Sequence, residues 1–281
     1  MTISVLKASG EREKWDPEKL IRSLRASGAE DRLAHEILGH VEHDLYDGMK
    51  TSEIYRHAFS LLRKQHRPFA AEYSLKRSLM EFGPSGFPFE KFVAELLKHE
   101  GYTTKVGQMI PGACVTHEVD VIAENASERI LVEAKFHNSP AIKTDVKVAL
   151  YVHARFQDIT KRFEEKEEKD LVENMHYNRA WLITNTSFTS QAIDYGRCVG
   201  LAMTGWNYPK GYTLQDLVQK TRAHPVTCLT TLNAMQKTQL LNTGIVLCRD
   251  LIANSAPLSA MGISHEKINN IVKEGEDLCP L

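Results

Sequence analysis

The sequence predicts a multidomain α/β protein: a small helical domain, a central α/β domain with a mixed sheet, and a C-terminal helical module. Three observations carry that reading. Strand-like runs interleave with helical ones only in the middle of the chain. A Gly83-Pro84-Ser85-Gly86 break separates the first helical piece from that middle. From about residue 226 onward the pattern is helical throughout. The divisions fall at 1–84, 85–225 and 226–281, and 281 residues are enough for three small domains.

Composition removes several classes. A 42 % hydrophobic share with 25 % charge is too apolar for a disordered chain. No apolar run reaches the ~18–20 residues of a membrane span, and the opening MTISVLKASGEREKW lacks a secretory apolar stretch. The five cysteines (114, 198, 228, 248, 279) are scattered without a CxxC pair, which predicts reduced thiols in a cytoplasmic protein. With a net charge of −1, any nucleic-acid binding must come from a local basic patch.

In the first piece, Ile3–Lys7 is strand-like and turns at Gly10. Trp15-Asp16-Pro17 reads as a helix start, because Asp caps and Pro fits the first turn. Apolar residues from Leu20 to Leu45 follow helical spacing, a second helix opens at Thr51-Ser52-Glu53, and a third runs over Ala70–Phe82. The second piece opens with a helix over Phe89–His99. Strands follow at Glu118–Ala123 and Arg129–Phe136, joined by an Asn125–Glu128 turn. A polar helix is expected from Thr144 to about Met175, its KRFEEKEEKD run a solvated face. Ala180–Thr184 reads as a buried strand, then a helix over Thr189–Cys198 and a strand over Gly200–Thr204. The last piece has two Leu-rich helices, each running into a Gly-Ile step at Gly244-Ile245 and Gly262-Ile263.

The sharpest chemical signal is Asp120, twelve intervening residues, then Glu133-Ala134-Lys135. Residues two apart on a strand share a face, so Glu133 and Lys135 point the same way, and the 125–128 hairpin brings Asp120 beside them. Two converging carboxylates repel unless a hard divalent cation such as Mg²⁺ sits between them, and a neighbouring lysine suits a phosphodiester under attack. An isolated pattern of this kind also reads as solvent-facing strand residues with a turn acid. Its setting among Val119, Val121, Ile122, Ile130, Leu131 and Val132 favours the chemical reading. His117 reads either as a phosphate contact or as an ordinary strand-edge histidine, the second being preferred.

The runs FEKFVAELLKHEGY, HEVDVIA, ILVEAKF and AWLITNTSFTSQAIDYGRCVGLAM, in that order over about 86–220, resemble the Mrr-like branch of the PD-(D/E)xK nucleases, the type IV restriction endonucleases. The resemblance implies a restriction-endonuclease-like core and Mg²⁺- or Mn²⁺-dependent cleavage of DNA, often in restriction or phage defence. It also implies metal ligation by Asp120, Glu133 and the main chain of Ala134, with Lys135 as the catalytic lysine. Glu90 matches the family's helical glutamate, Glu95 being the competing acid on another face. The common Mrr motif has glutamine where this chain has Glu133.

Val5-Leu6-Lys7-Ala8-Ser9-Gly10-Glu11, Trp15-Asp16-Pro17-Glu18-Lys19-Leu20, Thr51-Ser52-Glu53-Ile54 and Tyr73-x-x-Lys76 resemble the ATP-cone, a nucleotide-sensing domain. That implies ATP or dATP as effector, held around Val5, Lys7, Gly10 and Lys19. Ala8 and Ser9 differ from the usual Lys-Arg-Asp/Asn-Gly turn. No GxxxxGK[ST] is present, so energy-coupled hydrolysis is not expected. The final helices weakly resemble a helix-hairpin-helix module. With Lys237, Arg249, Lys267 and Lys273 as their only Lys or Arg residues, they suit packing or dimerisation better than DNA. The combined expectation is a cytoplasmic, homo-oligomeric DNA endonuclease regulated by an adenine nucleotide. Two other readings stand: a catalytically inactive nucleotide-sensing module that binds DNA or a partner, and a junction-specific resolvase.

Overall fold

The computed structural model describes residues 3–167 and 176–279. In chain order the elements are β1 (Ser4–Leu6), β2 (Arg12–Lys14), α1 (Pro17–Ala26), α2 (Asp31–His43), β3 (Met49–Lys50), α3 (Thr51–Gln65) and α4 (Arg67–Met80). Then come α5 (Phe87–His99), β4 (Thr103–Pro111), β5 (Thr116–Glu124), β6 (Arg129–Lys135), β7 (Lys143–Thr144), α6 (Val146–Glu167), β8 (Arg179–Thr184) and β9 (Ser187–Phe188). The chain continues through α7 (Ser190–Val199), β10 (Ala202–Thr204), α8 (Leu214–Thr221), a 3₁₀ turn (Val226–Cys228), α9 (Ala234–Asn242), α10 (Cys248–Ala253), α11 (Ala256–Ala260) and α12 (His265–Leu278). No helix among the described residues is long and apolar enough to cross a membrane. The expected extension of the α6 helix to Met175 lies, from residue 168, outside the described residues, as do the side chains of the charged run from 164.

Two compact units result. The first is drawn from within 1–78, 224–239 and 248–281. Its small sheet has the order β2-β1-β3, β1 antiparallel to β2 and parallel to β3. Asp16 caps α1 by accepting the Glu18 N–H at 3.0 Å, and Pro17 occupies the first turn, where its missing N–H costs nothing. The apolar periodicity from Leu20 to Leu45 is carried by two helices, α1 and α2, whose Leu24, Ala34, Ile37 and Val41 meet Ala58 and Leu62 of α3 in one core. Pro68 falls inside the first turn of α4, so that helix starts three residues ahead of the Ala70 expected from the sequence. In the later part of this unit, Glu274 is buried on α12. Its carboxylate accepts the N–H groups of Thr230 (2.7 Å) and Thr231 (2.9 Å) and the Thr230 hydroxyl (2.6 Å), which satisfies the charge.

The second unit, 79–223 with 240–247, is built on a mixed five-stranded sheet of order β10-β8-β6-β5-β4. β4, β5 and β6 form an antiparallel meander; β6, β8 and β10 run parallel. The β5–β6 turn is fixed by Asn125, whose side-chain oxygen accepts from the N–H groups of Ser127 (2.8 Å) and Glu128 (3.0 Å). β8 is covered on both faces and reads as the uninterrupted apolar run of a buried parallel strand. Trp181 within it finds a partner for its indole N–H in the Thr204 hydroxyl at 3.1 Å. α5 lies against β4, β5 and β6, and α6 packs on α7 and β8. The Thr213–Asp216 capping box starts α8, a helix the apolar pattern did not reveal.

Leu182 is fully buried on β8 among Ala149, Phe188 and Met203. Leu182→Ala should lower stability by about 2–5 kcal/mol, read as a fall in the urea midpoint of the transition followed by tryptophan fluorescence.

Candidate functional site

The β5–β6 ladder runs from Glu124↔Arg129 to Val121↔Val132 and stops. The next residue beyond the last rung is Asp120 on β5 and Glu133 on β6. The Ala134 N–H, one residue further along β6, goes instead to the Asp120 side chain at 2.7 Å. β6 stays paired to β8 as far as Lys135↔Thr184, so β5 parts from a strand held straight on its other side. On β4, Gly107 sits at the register position opposite Asp120 with φ +62°, and the β4–β5 pairing skips that position. The meander is therefore loosened on both sides of Asp120.

Acids gather at this opening. Glu133 and Lys135, two apart on β6, are both partly buried on one face while Ala134 turns to the other. Glu90 of α5 is half-buried; burial, then the charges of Glu118 and Glu133, raise its carboxyl above the ordinary range. Asp120 is raised further, by burial first and then by Glu133, with Glu90 adding and the Ala134 N–H and Arg155 opposing. So the structure brings Asp120, Glu133, Lys135 and Glu90 to one end of the β5–β6 pair. Glu95 is elsewhere, paired with Lys98 at 2.6 Å.

Three participants escaped sequence reasoning. Arg155 of α6 donates to Glu133 Oε2 at 2.5 Å, and Tyr151, one turn earlier, donates a short hydrogen bond to Oε1. The Arg155 guanidinium also lies 5.3 Å from the Tyr151 ring centroid. Burial and the Glu133 charge push the Tyr151 phenol well up, so it stays a donor. Glu118 is the third, and its i, i+2 spacing from Asp120 was the signal available for it. His117 is engaged by α6 as well. It meets Asp158 Oδ2 at 2.7 Å, and the same carboxylate accepts the Cys114 and Val115 N–H groups at 2.8 and 3.3 Å. That agrees with a structural strand-edge histidine.

The hard oxygens of Asp120 and Glu133, with the Ala134 carbonyl, are the donor set a Mg²⁺ or Mn²⁺ ion takes when it keeps several waters. The raised carboxyl of Asp120 signals negative charge a cation would relieve. Each Glu133 oxygen retains a lone pair beyond its bond to Tyr151 or Arg155. Among the described residues no three His, Cys, Asp or Glu side chains converge as a complete ligand cage, so water and substrate oxygens would complete the shell.

In the first unit, a pocket of about 210 Å³ opens between β2, α1, α3 and α4. Val5 and Lys19 line it with Trp15, Thr51, Tyr55 and Tyr73. Tyr55 and Tyr73 stack at 5.1 Å and 7°. Lys7 stands beside the pocket, 3.0 Å from the lining residue Glu13, which also takes Lys19 in a short contact. Gly10, φ +83°, closes the β1–β2 hairpin away from the lining.

Known proteins resemble this chain over about two thirds of its length. An uncharacterized protein of Archaeoglobus fulgidus is 34 % identical over 185 residues, covering 66 % of this chain and 98 % of the relative. The crystal structure of AF1548, a protein of unknown function, matches with 32 % identity and a TM-score of 0.55 over 69 % of this chain and 98 % of that one. The chain belongs to the AF1548-like family. Its residues 224–279 match the family's C-terminal model, 3–81 match the ATP cone domain, and 84–203 match a restriction endonuclease domain. A complex of the MspJI restriction endonuclease with a 27-mer oligonucleotide aligns at 14 % identity and TM-score 0.33, over 73 % of this chain and 39 % of that one. This AF1548-like chain is thus an α/β multidomain protein with a restriction-endonuclease-like core, an ATP-cone ahead of it and a helical end.

The raised Asp120 carboxyl has a measurable sign. The folded state holds the Asp120 proton more tightly than the unfolded chain, so this group's contribution to stability is full at acid pH. It is lost as pH rises from the ordinary carboxylate value through the raised one. Asp120→Asn should therefore raise the metal-free melting temperature by a few degrees at pH 8 and leave it nearly unchanged at pH 4. Scanning fluorimetry at the two pH values checks this, and an equal shift at both would contradict it.

Proposed function

We propose that the protein is a divalent-metal-dependent DNA endonuclease whose action responds to an adenine nucleotide at its ATP-cone. The observation that carries this reading is the opening past Val121↔Val132, where Asp120, Glu133 and Lys135 meet beside Glu90. The working division is 1–84 as nucleotide sensor, 85–225 as nuclease and 226–281 as a helical packing module. Asp120, Glu133 and the Ala134 main chain would hold Mg²⁺ or Mn²⁺, an ion that supplies Lewis-acid polarisation of phosphate and lowers the pKa of water. Lys135 places its ammonium on the same face as Glu133, where it steadies a phosphate oxygen or orients the attacking water. Tyr151 and Arg155 fix the rotamer of Glu133, and Glu90 closes the acidic wall. Cutting both strands calls for two such sites, which a homo-oligomer supplies, and a role in restriction or phage defence follows from the same reading.

The nucleotide pocket supports the regulatory half. Tyr55 and Tyr73 offer a stacked aromatic wall for a base. The lysines now neutralised by Glu13 are the groups that phosphates would engage. An effector bound there acts only through different affinities for two states of the protein.

Incubating the protein with supercoiled plasmid and Mg²⁺ should give nicked and then linear DNA. Lys135→Ala should reduce the rate by about 10²-fold or more with the melting curve unchanged. Cleavage by Lys135→Ala at the wild-type rate would remove the assignment. ATP or dATP at roughly 100 times its Kd should raise the melting temperature by several degrees, since such saturation contributes about 2.7 kcal/mol. Lys19→Ala should abolish that shift; a shift that survives would place the nucleotide elsewhere.

A further inference from the structure

Within the first unit, three side chains far apart in sequence line up in its interior. Glu72 of α4 meets His224 Nε2 at 2.6 Å, and His224 Nδ1 lies 3.5 Å from Cys279 Sγ, just past the end of α12. His224 and Cys279 are essentially fully buried. A fourth group joins them: Cys248 opens α10, which packs on α12, and its carbonyl lies against Gly275, one turn before Cys279. The two cysteines hang from the same residue. The Cys248 N–H donates to the His224 carbonyl at 2.9 Å and its thiol to the Pro225 carbonyl at 3.2 Å, while Cys279 takes the imidazole. Nothing in the nuclease or nucleotide readings uses this cluster.

A carboxylate on one imidazole nitrogen and a sulfur on the other is the arrangement that turns a thiol into a nucleophile. Burial works against a charge on His224, yet its hydrogen bonds with Cys279 and Glu72 hold its pKa up at about 9. The adjoining Cys248 sulfur first, and after it the contact with His224, draw the Cys279 thiol below the ordinary range in spite of burial. Cys228 and Cys248, by contrast, are pushed well up by burial and behave as inert core thiols until something reacts beside them. Among the described residues no group of three or more His, Cys, Asp or Glu side chains has the geometry to hold a metal ion.

We propose that Cys279 and Cys248 form a peroxide-reactive dithiol, with His224 and Glu72 as the hydrogen-bonded pair behind Cys279. The Cys279 thiolate attacks a peroxide oxygen; the S–O bond forms, the O–O bond breaks, and hydroxide (or alkoxide from an organic peroxide) leaves. Cys248, giving up its proton, then attacks the sulfenic sulfur; the S–S bond forms and the S–O bond breaks with loss of water. Two thiols are oxidised and one peroxide is reduced. Hydrogen peroxide is small enough to reach the site through local opening. The disulfide ties the end of α12 to the start of α10.

Treating the full chain with hydrogen peroxide at pH 7, followed by alkylation and non-reducing peptide mapping, tests this. The expected product is a Cys248–Cys279 cross-linked peptide that forms about tenfold faster than oxidation of the exposed Cys114 and Cys198. In Cys248→Ser the sulfenic acid on Cys279 should persist and be trapped by dimedone, and Glu72→Gln should slow the reaction about tenfold. Cys248→Ser removes one buried sulfur only, so its trapping result stands even if Glu72→Gln perturbs folding. Oxidation confined to Cys114 and Cys198 with Cys279 still reduced would overturn the proposal. So would stoichiometric zinc in the purified protein that disappears in Cys279→Ser.

Discussion

The arrangement of the central domain depends on one displaced hydrogen bond. Where the β5–β6 ladder would continue past Val121 and Val132, the Ala134 N–H turns to the carboxylate of Asp120. A backbone donor in a sheet must find an acceptor, and here a charged side chain serves in place of the neighbouring carbonyl. The exchange separates the strands at the residues that carry the acids, while β8 on the far side of β6 keeps that strand in register. Loosening of the partner strand at Gly107 answers it on the β4 side. A sheet that is regular elsewhere thereby acquires a notch whose floor is hydrogen-bonded and whose walls are negative.

That notch contrasts with the other end of the same strands. Glu128 is met by Arg179 at 2.8 Å and Glu124 by Arg129 at 2.7 Å, both ordinary pairings at the other end of the same strands. At the notch, Glu90 and Asp120 are raised by burial and by neighbouring carboxylates, and Glu133 is paired with Arg155. Buried like charges weaken a fold, so their concentration at one place marks it as a candidate site. The match to a restriction endonuclease domain, over 84–203, spans this notch.

Much of this was legible in the sequence, for definite reasons. Strand periodicity put Glu133 and Lys135 on one face, and the Asn125 turn forced Asp120 back toward them; both are local rules. Asp16-Pro17 and Phe89–His99 declared their helices through capping and a single apolar stripe. Tyr151 and Arg155 were not legible, because their spacing along a polar helix is indistinguishable from a solvated face until β6 is laid against it. The Glu72–His224–Cys279 line lay further out of reach. Glu72 and His224 are 152 residues apart, and no periodicity encodes so distant a meeting.

One helix, α6, has two attachments along its inner face. Tyr151 and Arg155 grip Glu133 at the notch. A turn later, Asp158 binds His117 and the backbone of Cys114 and Val115, where β4 passes into β5. The same rigid rod thus fixes an acid in the middle of the sheet and the bend that leads the chain to Asp120. A slide of α6 along its axis would move both ends of the acidic wall together, as a key moves every pin in a lock. The spacing of the two carboxylates is in this sense a property of the helix as much as of the strands that bear them.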